Sequence, residues 1–307
     1  MRELFIDGAR IADDTDCYVI AEVGHNHGGS VETCKRMFKA AKDAGANAVK
    51  LQKRDNKTLY SEEFYNSPYN SENAYGATYG EHREALEFNF EQYQELQGYA
   101  LSIGITFFAT AFDIPSADFL RELGVPAIKI ASGDLRNQPL LDHVAKLGIS
   151  VILSTGGAPG TNHVANALMS LDGVPRAVLQ CTSGYPAKYE ELNLNVISAY
   201  RGQFPAFVVG FSDHTSGISM APVAYALGAR IIEKHFTLDR TLKGTDQAFS
   251  LEPVGLRKMV RDLRRTKLAL GDGIKRRYAS ENSPLAKQEK HLVNGRMCVD
   301  GVVSAVA

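Results

Sequence analysis

The sequence has no excess of either charge and no long apolar run, and each absence excludes a class of protein. Its 34 basic and 35 acidic residues are spread along the chain, which argues against a nucleic-acid surface or a basic membrane patch. No apolar run approaches the length of a membrane span, and the N-terminal MRELFIDGARIADDTD is charged where a signal peptide needs an apolar segment. We therefore expect a soluble, cytoplasmic protein whose partner is a small molecule, not a nucleic acid or a membrane.

Cysteine is also scarce. Cys17, Cys34, Cys181 and Cys298 lack the spacing of a metal site. Two of them lie inside apolar, strand-like runs, so buried and reduced thiols are expected.

Eight short apolar runs alternate with helix-like segments, and most of the runs end in a polar residue that can take part in chemistry. We predict strands at 17–23, 46–52, 105–110, 126–131, 150–155, 176–182, 207–212 and 230–236. Helices are predicted at 30–44, 90–102, 115–123, 137–147, 161–171, 193–200, 218–227 and 253–270. The alternation predicts the α/β class and a (β/α)8 TIM barrel, which needs about 250 residues and fits within this chain.

A doubly wound open sheet shares this alternation and is the rival fold. It would carry a glycine-rich phosphate loop after the first strand, but GHNHGG at 24–29 has the wrong spacing. The polar residues also recur at every strand end instead of at one switch point. Both observations favour the closed barrel.

Three segments fall outside the repeat. Asp7-Gly8 between two apolar stretches predicts a β-hairpin over 3–12, placed at the bottom of the barrel. Residues 53–89 contain five tyrosines and no clear core pattern, and we predict a lid over the rim. The catalytic domain is predicted to cover 1–272, and 273–307 to form a short C-terminal tail or linker, too short for a core of its own.

His214 and His235 are the best candidates for metal ligands. They end apolar runs on neighbouring predicted strands, where two imidazoles can meet one divalent ion. A hydrogen-bonded rim histidine is the alternative. The adjacent acids Asp213 and Glu233 favour the metal site, since they can ligate the ion, orient an imidazole or hold a metal-bound water.

Lys50, Lys129, Ser132 and Ser154 indicate an anion site. Lysine is rare within apolar strands unless its charge is paired, so two merely solvated lysines are a weak explanation. Two ammonium groups and two hydroxyls suit a phosphorylated carboxylate. A Schiff-base lysine is the competing interpretation.

Two acids complete the set of candidates. Glu22 ends the first predicted strand and Asp246 follows the last one. Either can position water or bind a sugar hydroxyl. Surface capping by Glu22 and a helix-approach role for Asp246 are the alternatives.

These motifs, taken in order, resemble the N-acetylneuraminate (sialic acid) synthase family, which condenses phosphoenolpyruvate with an aldehyde sugar. The resemblance covers about residues 17–272. The matching stretches are AEVGHNHGG at 21–29, AVKLQ at 48–52, AIKIASGD at 127–134, LSTG at 153–156, QCTSGYP at 180–186, GFSDHT at 210–215, EKHFT at 233–237 and GTDQAFSLEP at 244–253.

The resemblance implies a role for each candidate. A divalent ion on His214 and His235 is expected, Mn²⁺ first, with Mg²⁺ or Co²⁺ as alternatives. The residues implied to hold phosphoenolpyruvate are Lys50, Lys129, Ser132 and Ser154, helped by Ser183 and Tyr185. Those implied to face the sugar are Gln52, Tyr185 and Asp246. Glu22 is the first choice and Glu233 the second for steering water, and Lys50 is counted with them as catalytic.

The implied reaction is that of a transferase, giving a 2-keto-3-deoxy nonulosonate-type acid and phosphate by carbon–oxygen cleavage, in a homodimer. A pyruvate-dependent Schiff-base aldolase, a synthase for a non-acetylated aldose and a silent barrel are the alternatives. The family usually adds an antifreeze-like domain whose arginine reaches the acyl-amino group of the sugar. Only a short tail stands in its place, so we expect weak discrimination between N-acetylated and plain acceptors, with the tyrosines of the lid as the cover.

Overall fold

The computed structural model describes residues 2–304, in two compact units that divide between Leu268 and Ala269. The first unit begins with an antiparallel hairpin of β1 (Glu3–Ile6) and β2 (Ala9–Ala12). Asp7 and Gly8 have φ angles of 50° and 74°, as a two-residue hairpin turn requires. Ser150 and Thr106, at the first residues of two barrel strands, donate hydrogen bonds to Phe5 O and Asp7 Oδ2. The predicted hairpin is confirmed, and it lies at the N-terminal ends of the strands.

Eight parallel strands form a closed barrel, so the predicted fold class is confirmed. They are β3 (Tyr18–Gly24), β4 (Ala48–Lys53), β5 (Thr106–Ala111), β6 (Ala127–Ile130), β7 (Ser150–Ser154), β8 (Arg176–Cys181), β9 (Val208–Asp213) and β10 (Ile231–His235). Each strand pairs with the next in the chain, and β10 closes the barrel against β3, with His235 opposite Glu22. All eight C-terminal ends therefore meet at one rim.

The helices surround the barrel, and three short ones lie between β4 and β5. They are α1 (Val31–Ala44), α2 (Asn56–Leu59), α3 (Glu62–Tyr65), α4 (Tyr79–Glu84), α5 (Phe90–Ser102), α6 (Ile114–Leu123), α7 (Gln138–Ala145), α8 (Thr161–Ser170), α9 (Asn195–Gln203), α10 (Met220–Ala226) and α11 (Pro253–Leu270). Among the described residues, no helix is long and apolar enough to cross a membrane.

Side-chain caps explain why several of the helices begin where the sequence predicts. Ser30 accepts a hydrogen bond from the backbone N–H of Thr33 at the start of α1, and Asp113 does the same for Ser116 at α6. Asn89 forms a capping box at the start of α5. By contrast, α9 and α10 have no side-chain cap bond, and both begin two residues after the predicted positions.

The segment 53–89 has more internal structure than the sequence indicates. The rings of Tyr60, Phe64 and Tyr69 lie 5.1, 4.6 and 5.3 Å from that of Tyr79. The absence of a core pattern in this segment does not mean an absence of packing, because its aromatic residues form a local cluster without helical or strand spacing. The segment is also bonded to the β10–α11 loop, since Tyr75 donates its hydroxyl to Lys243 O at 2.9 Å.

The four cysteines are free, as expected. Cys34 and Cys181 are buried, whereas Cys17 and Cys298 are only half-buried. The second unit contains a short helix α12 (Asn282–Ala286) and an antiparallel pair of strands, β11 (His291–Val293) and β12 (Arg296–Cys298). None of its described residues is buried.

Candidate active site

A cavity of about 520 Å³ opens at the C-terminal rim of the barrel. The twelve predicted site residues all line it, although they come from seven strands and the loops that follow them. They are Glu22, Lys50, Gln52, Lys129, Ser132, Ser154, Ser183, Tyr185, His214, Glu233, His235 and Asp246. The fold therefore brings these twelve residues together at one rim.

Lys50, a buried residue of the cavity, lies between two carboxylates. Its Nζ is 2.5 Å from Glu22 Oε2 and 3.9 Å from Glu233 Oε2, and it donates to Thr110 Oγ1 at 2.7 Å. Gln52, two residues further along β4, donates to Glu22 Oε1 at 2.8 Å. Glu22 is 1% exposed, so surface capping is not its role.

Lys129 forms a second charged group with Glu233. Its Nζ donates to Ser154 Oγ at 2.6 Å and lies 3.8 Å from Glu233 Oε1, which also accepts a hydrogen bond from Ser212. Burial lowers the pKa of Lys129 although the Glu233 carboxylate opposes the shift. Burial alone would raise the pKa of Glu233, but the ammonium groups of Lys129 and Lys50 lower it to about 2. The site therefore holds ionised groups of both signs away from water.

Hydroxyl groups gather at the side of the cavity formed by β6, β7 and β8. Ser132 Oγ accepts a hydrogen bond from the backbone N–H of Gly156 at 2.9 Å and lies 3.4 Å from Cys181 Sγ. A Cβ atom at residue 156 would overlap Ser183 Oγ and crowd Ser132 Oγ. Glycine at this position therefore lets both serine hydroxyls lie close to the backbone of the loop after β7. With Lys129, these donors form a site suited to an anion.

The two histidines face each other with ring centroids 5.2 Å apart. Burial and the neighbouring His235 lower the pKa of His214 to about 3, so its imidazole is neutral. His214 Nδ1 lies 3.2 Å from Thr182 O, and a hydrogen bond to this carbonyl leaves Nε2 with a free lone pair. His235 Nδ1 has no hydrogen-bond partner in the described part of the chain and lies 3.5 Å from Asp246 Oδ2.

This pair suits a divalent ion that takes two nitrogen ligands from the protein. Within residues 2–304, no group of three or more His, Cys, Asp or Glu side chains is arranged to hold a metal. The other coordination positions would then be open to substrate oxygens and water, as in catalytic rather than structural sites.

Asp213 lies elsewhere, although the sequence places it beside His214. Its Oδ2 is 2.8 Å from Lys234 Nζ, and its Oδ1 accepts a hydrogen bond from the backbone N–H of Thr215. Neither Asp213 nor Lys234 lines the cavity. Successive strand residues point to opposite faces, so His235 and Glu233 face inward while Lys234 and its partner face the helices. The prediction that Asp213 assists the histidines directly is wrong.

Tyr185 and Phe249 cover the histidines. The Tyr185 ring lies 4.5 Å from that of His214, and the Phe249 ring lies 5.0 Å from that of His235. Tyr185 is 56% exposed, so its ring lies at the mouth of the cavity.

Four cavity residues with a charged or imidazole side chain were missed: His25, Arg54, Arg83 and Arg136. Arg54 directly follows the end of β4. The sequence could have indicated it as a site residue on that ground, since the other candidates also lie at strand ends. Arg83 belongs to the aromatic segment 53–89 and had no comparable signal. No tyrosine of that segment lines the cavity, so the prediction that its tyrosines cover the sugar is wrong. They pack on one another and support Arg83 instead.

A family model described as NeuB family matches residues 37–275. The chain belongs to the NeuB family. This match confirms the resemblance that the sequence motifs indicate.

Two curated NeuB relatives illustrate the range of similarity. The chain is 41% identical over 278 residues to N-acetylneuraminate-9-phosphate synthase of Mus musculus, covering 90% of this chain and 77% of the relative. It is 38% identical over 280 residues to N,N'-diacetyllegionaminic acid synthase of Campylobacter jejuni, covering 90% and 84%.

A solved structure is also similar to this chain over most of its length. The sialic acid synthetase of Leptospira borgpetersenii serovar Hardjo-bovis, crystallised with citrate, is 34% identical and has a TM-score of 0.81. The similarity covers 92% of this chain and 95% of the other.

Proposed function

We propose that this NeuB family protein is a phosphoenolpyruvate-dependent synthase that condenses phosphoenolpyruvate with an aldehyde sugar. The products would be a 2-keto-3-deoxy sugar acid and inorganic phosphate. The observation that carries the proposal is the convergence of Lys129, the serine hydroxyls, two carboxylates and two imidazoles on one cavity. The names of the similar proteins, all synthases of nine-carbon sugar acids or their phosphates, support it.

Lys129 and the hydroxyl side of the cavity would bind phosphoenolpyruvate. The Lys129 ammonium, Ser154 and Ser132 offer several donors to a phosphate group, with Ser183 nearby. Lys50 and Thr110, which already contact each other, would hold the carboxylate of the same substrate. Phosphoenolpyruvate would then lie with its reacting carbons against Glu22 and Glu233.

The carbon–carbon bond would form when C3 of phosphoenolpyruvate attacks the aldehyde carbon. The aldehyde oxygen is left as an alkoxide, and positive charge develops at C2. The carboxylates of Glu22 and Glu233, buried beside this position, would stabilise that charge. Gln52, which donates to Glu22, would orient that carboxylate.

Water would then add at C2 and give up a proton to a carboxylate, and this proton is passed to the alkoxide, which becomes a hydroxyl. Glu22 is our first choice for this base and Glu233 the second. The resulting C2 bears both a hydroxyl and the phosphate, and it collapses to the ketone by breaking its bond to the phosphate oxygen. Phosphate therefore leaves with the oxygen that joined it to the substrate.

His214 and His235 would hold the divalent ion, Mn²⁺ first and Mg²⁺ or Co²⁺ as alternatives. Such an ion supplies Lewis-acid polarisation of a carbonyl oxygen. The imidazoles themselves, and Tyr185 and Phe249 over them, would place the aldehyde end of the sugar and exclude water from it.

The acceptor sugar belongs to one of two classes. The mouse relative is named for a 9-phosphorylated product, and the C. jejuni relative for a product named without phosphate. Phosphoenolpyruvate contributes three carbons, so carbon 9 of a nine-carbon product is carbon 6 of a hexose acceptor. The acceptor is therefore an aldose with or without a phosphate on its far end. The homodimer and the cytoplasmic location stay predictions.

The proposed function is tested by measuring phosphate release from phosphoenolpyruvate with a panel of aldoses, plain and phosphorylated. We expect phosphate and a 2-keto-3-deoxy acid in equal amounts. With ¹⁸O in the bridging oxygen of phosphoenolpyruvate, the label should appear in phosphate. Label retained in the acid would contradict carbon–oxygen cleavage, and consumption of free pyruvate instead of phosphoenolpyruvate would establish the aldolase alternative.

We also predict weak discrimination by this 307-residue chain between N-acetylated and plain acceptors. The groups expected to face the sugar, Gln52 and Asp246, are polar and serve hydroxyls as well as amides. The measurement is kcat/KM for N-acetylmannosamine and for mannose. The two sugars are compared either both without phosphate or both phosphorylated at the same carbon. A preference of about a hundredfold, or roughly 2.7 kcal/mol, would reveal a dedicated acyl-amino pocket and refute this prediction.

A further inference from the structure

Arg54 and Arg83 are cations of the cavity that have no carboxylate partner. Within the described residues, neither guanidinium has a carboxylate oxygen within 4.0 Å, whereas Lys50 and Lys129 both do. The nearest acid of the lid, Glu87, is instead paired with Lys53 at 2.9 Å. Two neighbouring guanidinium groups that feel carboxylates only from beyond ion-pair distance are unfavourable in a partly buried place, which points to an anionic ligand.

His25 lies between the two arginines. Its Nε2 is 3.1 Å from Arg54 Nη1, and its Nδ1 is 3.4 Å from Arg83 Nη1. A neutral imidazole accepts a hydrogen bond on one nitrogen only, so one of these two contacts sets an N–H group against a guanidinium N–H. Glu87 Oε1 lies 3.8 Å from His25 Nε2, beyond hydrogen-bond distance. The donors of the cluster therefore outnumber the acceptors that they reach, and an oxyanion would supply the missing acceptor.

Both guanidinium groups are held in place by aromatic residues and not by opposite charges. Arg54 is 7% exposed and lies 3.7 Å from the centroid of the Phe112 ring. Arg83 donates to the Tyr79 hydroxyl through Nε at 3.0 Å and Nη2 at 2.7 Å. A guanidinium group that is fixed in orientation, and whose charge is not neutralised by a carboxylate, is well suited to bind a phosphate.

The arginines adjoin the sugar side of the cavity. Arg54 Nη2 donates to Gln52 Oε1 at 2.7 Å, and Gln52 is also bonded to Glu22 beside the reacting carbons. A Cβ atom at Gly24 would lie 3.2 Å from Gln52 Nε2 and 3.6 Å from Asp246 Oδ2, so these two sugar-facing side chains converge there. Lys129 and its hydroxyl groups belong to β6, β7 and the loops that follow β6, β7 and β8.

We propose that Arg54 and Arg83, with His25 between them, bind the phosphate of an acceptor aldose that is phosphorylated on the end remote from its aldehyde. This inference rests on the proposed function and selects one of its two acceptor classes. The cavity then has two phosphate sites: Lys129 and the serines for phosphoenolpyruvate, and the arginine pair for the sugar. The lid segment contributes to specificity through Arg83, which its aromatic cluster positions.

The test compares kcat/KM for N-acetylmannosamine 6-phosphate and N-acetylmannosamine, both at saturating phosphoenolpyruvate. We expect the phosphorylated sugar to be preferred by roughly a hundredfold, the effect of two charge-assisted hydrogen bonds. Arg83→Gln should lower kcat/KM for the phosphorylated sugar by roughly tenfold or more and change that for the plain sugar by less than about threefold. Arg83→Lys, which keeps the charge, should retain part of the preference.

Arg121→Gln, on the exposed surface of α6, is the matched control and should change neither constant. Two results would overturn the inference: turnover without preference for the phosphorylated sugar, or an Arg83→Gln variant whose defect is a raised KM for phosphoenolpyruvate. The second result would assign the arginines to phosphoenolpyruvate instead. No phosphate release with any aldose would refute the proposed function itself, and the inference with it.

Discussion

Replacement of His235 by alanine is expected to lower kcat/KM by about three orders of magnitude or more. His235 and His214 are adjacent, and the neutral imidazole of His214 can ligate a metal without first losing a proton. Lewis-acid activation of the aldehyde is expected to supply several kcal/mol, which corresponds to a loss of this size. Chelation of the unmodified enzyme should abolish turnover, and Mn²⁺ should restore it.

Two further measurements make this prediction decisive. Equilibrium binding of Mn²⁺ should be much weaker for His235→Ala than for the unmodified protein, independently of any assay of turnover. His143→Ala is the control, because His143 lies on α7 and contacts Asp118 at 2.7 Å, away from the cavity. Full activity of His235→Ala without added metal would remove the histidines from the mechanism.

Replacement of Lys129 by alanine is expected to raise the KM for phosphoenolpyruvate by roughly a hundredfold, with a smaller effect on the acceptor. Lys129 Nζ contacts Ser154 and lies near the ionised Glu233, so its ammonium form is suited to bind a phosphate. The variant also leaves Glu233 with one cation fewer in a buried site, and a lower melting temperature is expected. Steady-state kinetics with each substrate varied in turn measures the split.

The same lysine decides between the synthase and the aldolase. Burial lowers the pKa of Lys129, which is the one observation that favours a nucleophilic amine. Borohydride added with pyruvate or phosphoenolpyruvate should nevertheless trap no adduct on Lys129, as judged by mass spectrometry of its peptide. Lys146→Ala, at the exposed end of α7, serves as the control for the kinetics. A trapped pyruvyl adduct would overturn the synthase assignment.

The barrel could be predicted from sequence because each part of it is locally encoded. The strands are short apolar runs of similar length, and caps such as Ser30 and Asn89 mark where helices begin. The rim residues could be predicted for a related reason: the C-terminal ends of parallel strands meet at one edge, so a polar residue at such an end lies near all the others. Lys50 and Glu233 illustrate this, separated by 183 positions and 3.9 Å apart.

The errors have physical causes as well. Asp213 and His214 are neighbours in sequence, but they face opposite sides of the barrel wall, and the pairing of Asp213 with Lys234 is a contact between two strands. The aromatic cluster around Tyr79 has no periodic spacing, because short helices and turns bring its rings together. In both cases a local pattern carried too little information about the side-chain environment.

By itself, the sequence of this protein determined the barrel, the rim and twelve of the residues that line the cavity. Alternation and strand ends are local features, and the polar residue at the end of most runs favours the closed barrel over an open sheet. Only the tertiary structure decided which charges are neutralised. Lys50 and Lys129 find carboxylates across the barrel, whereas Arg54 and Arg83 find aromatic rings and His25. Ion pairing depends on distances of a few ångströms between residues far apart in sequence, and these distances exist only once the chain is folded.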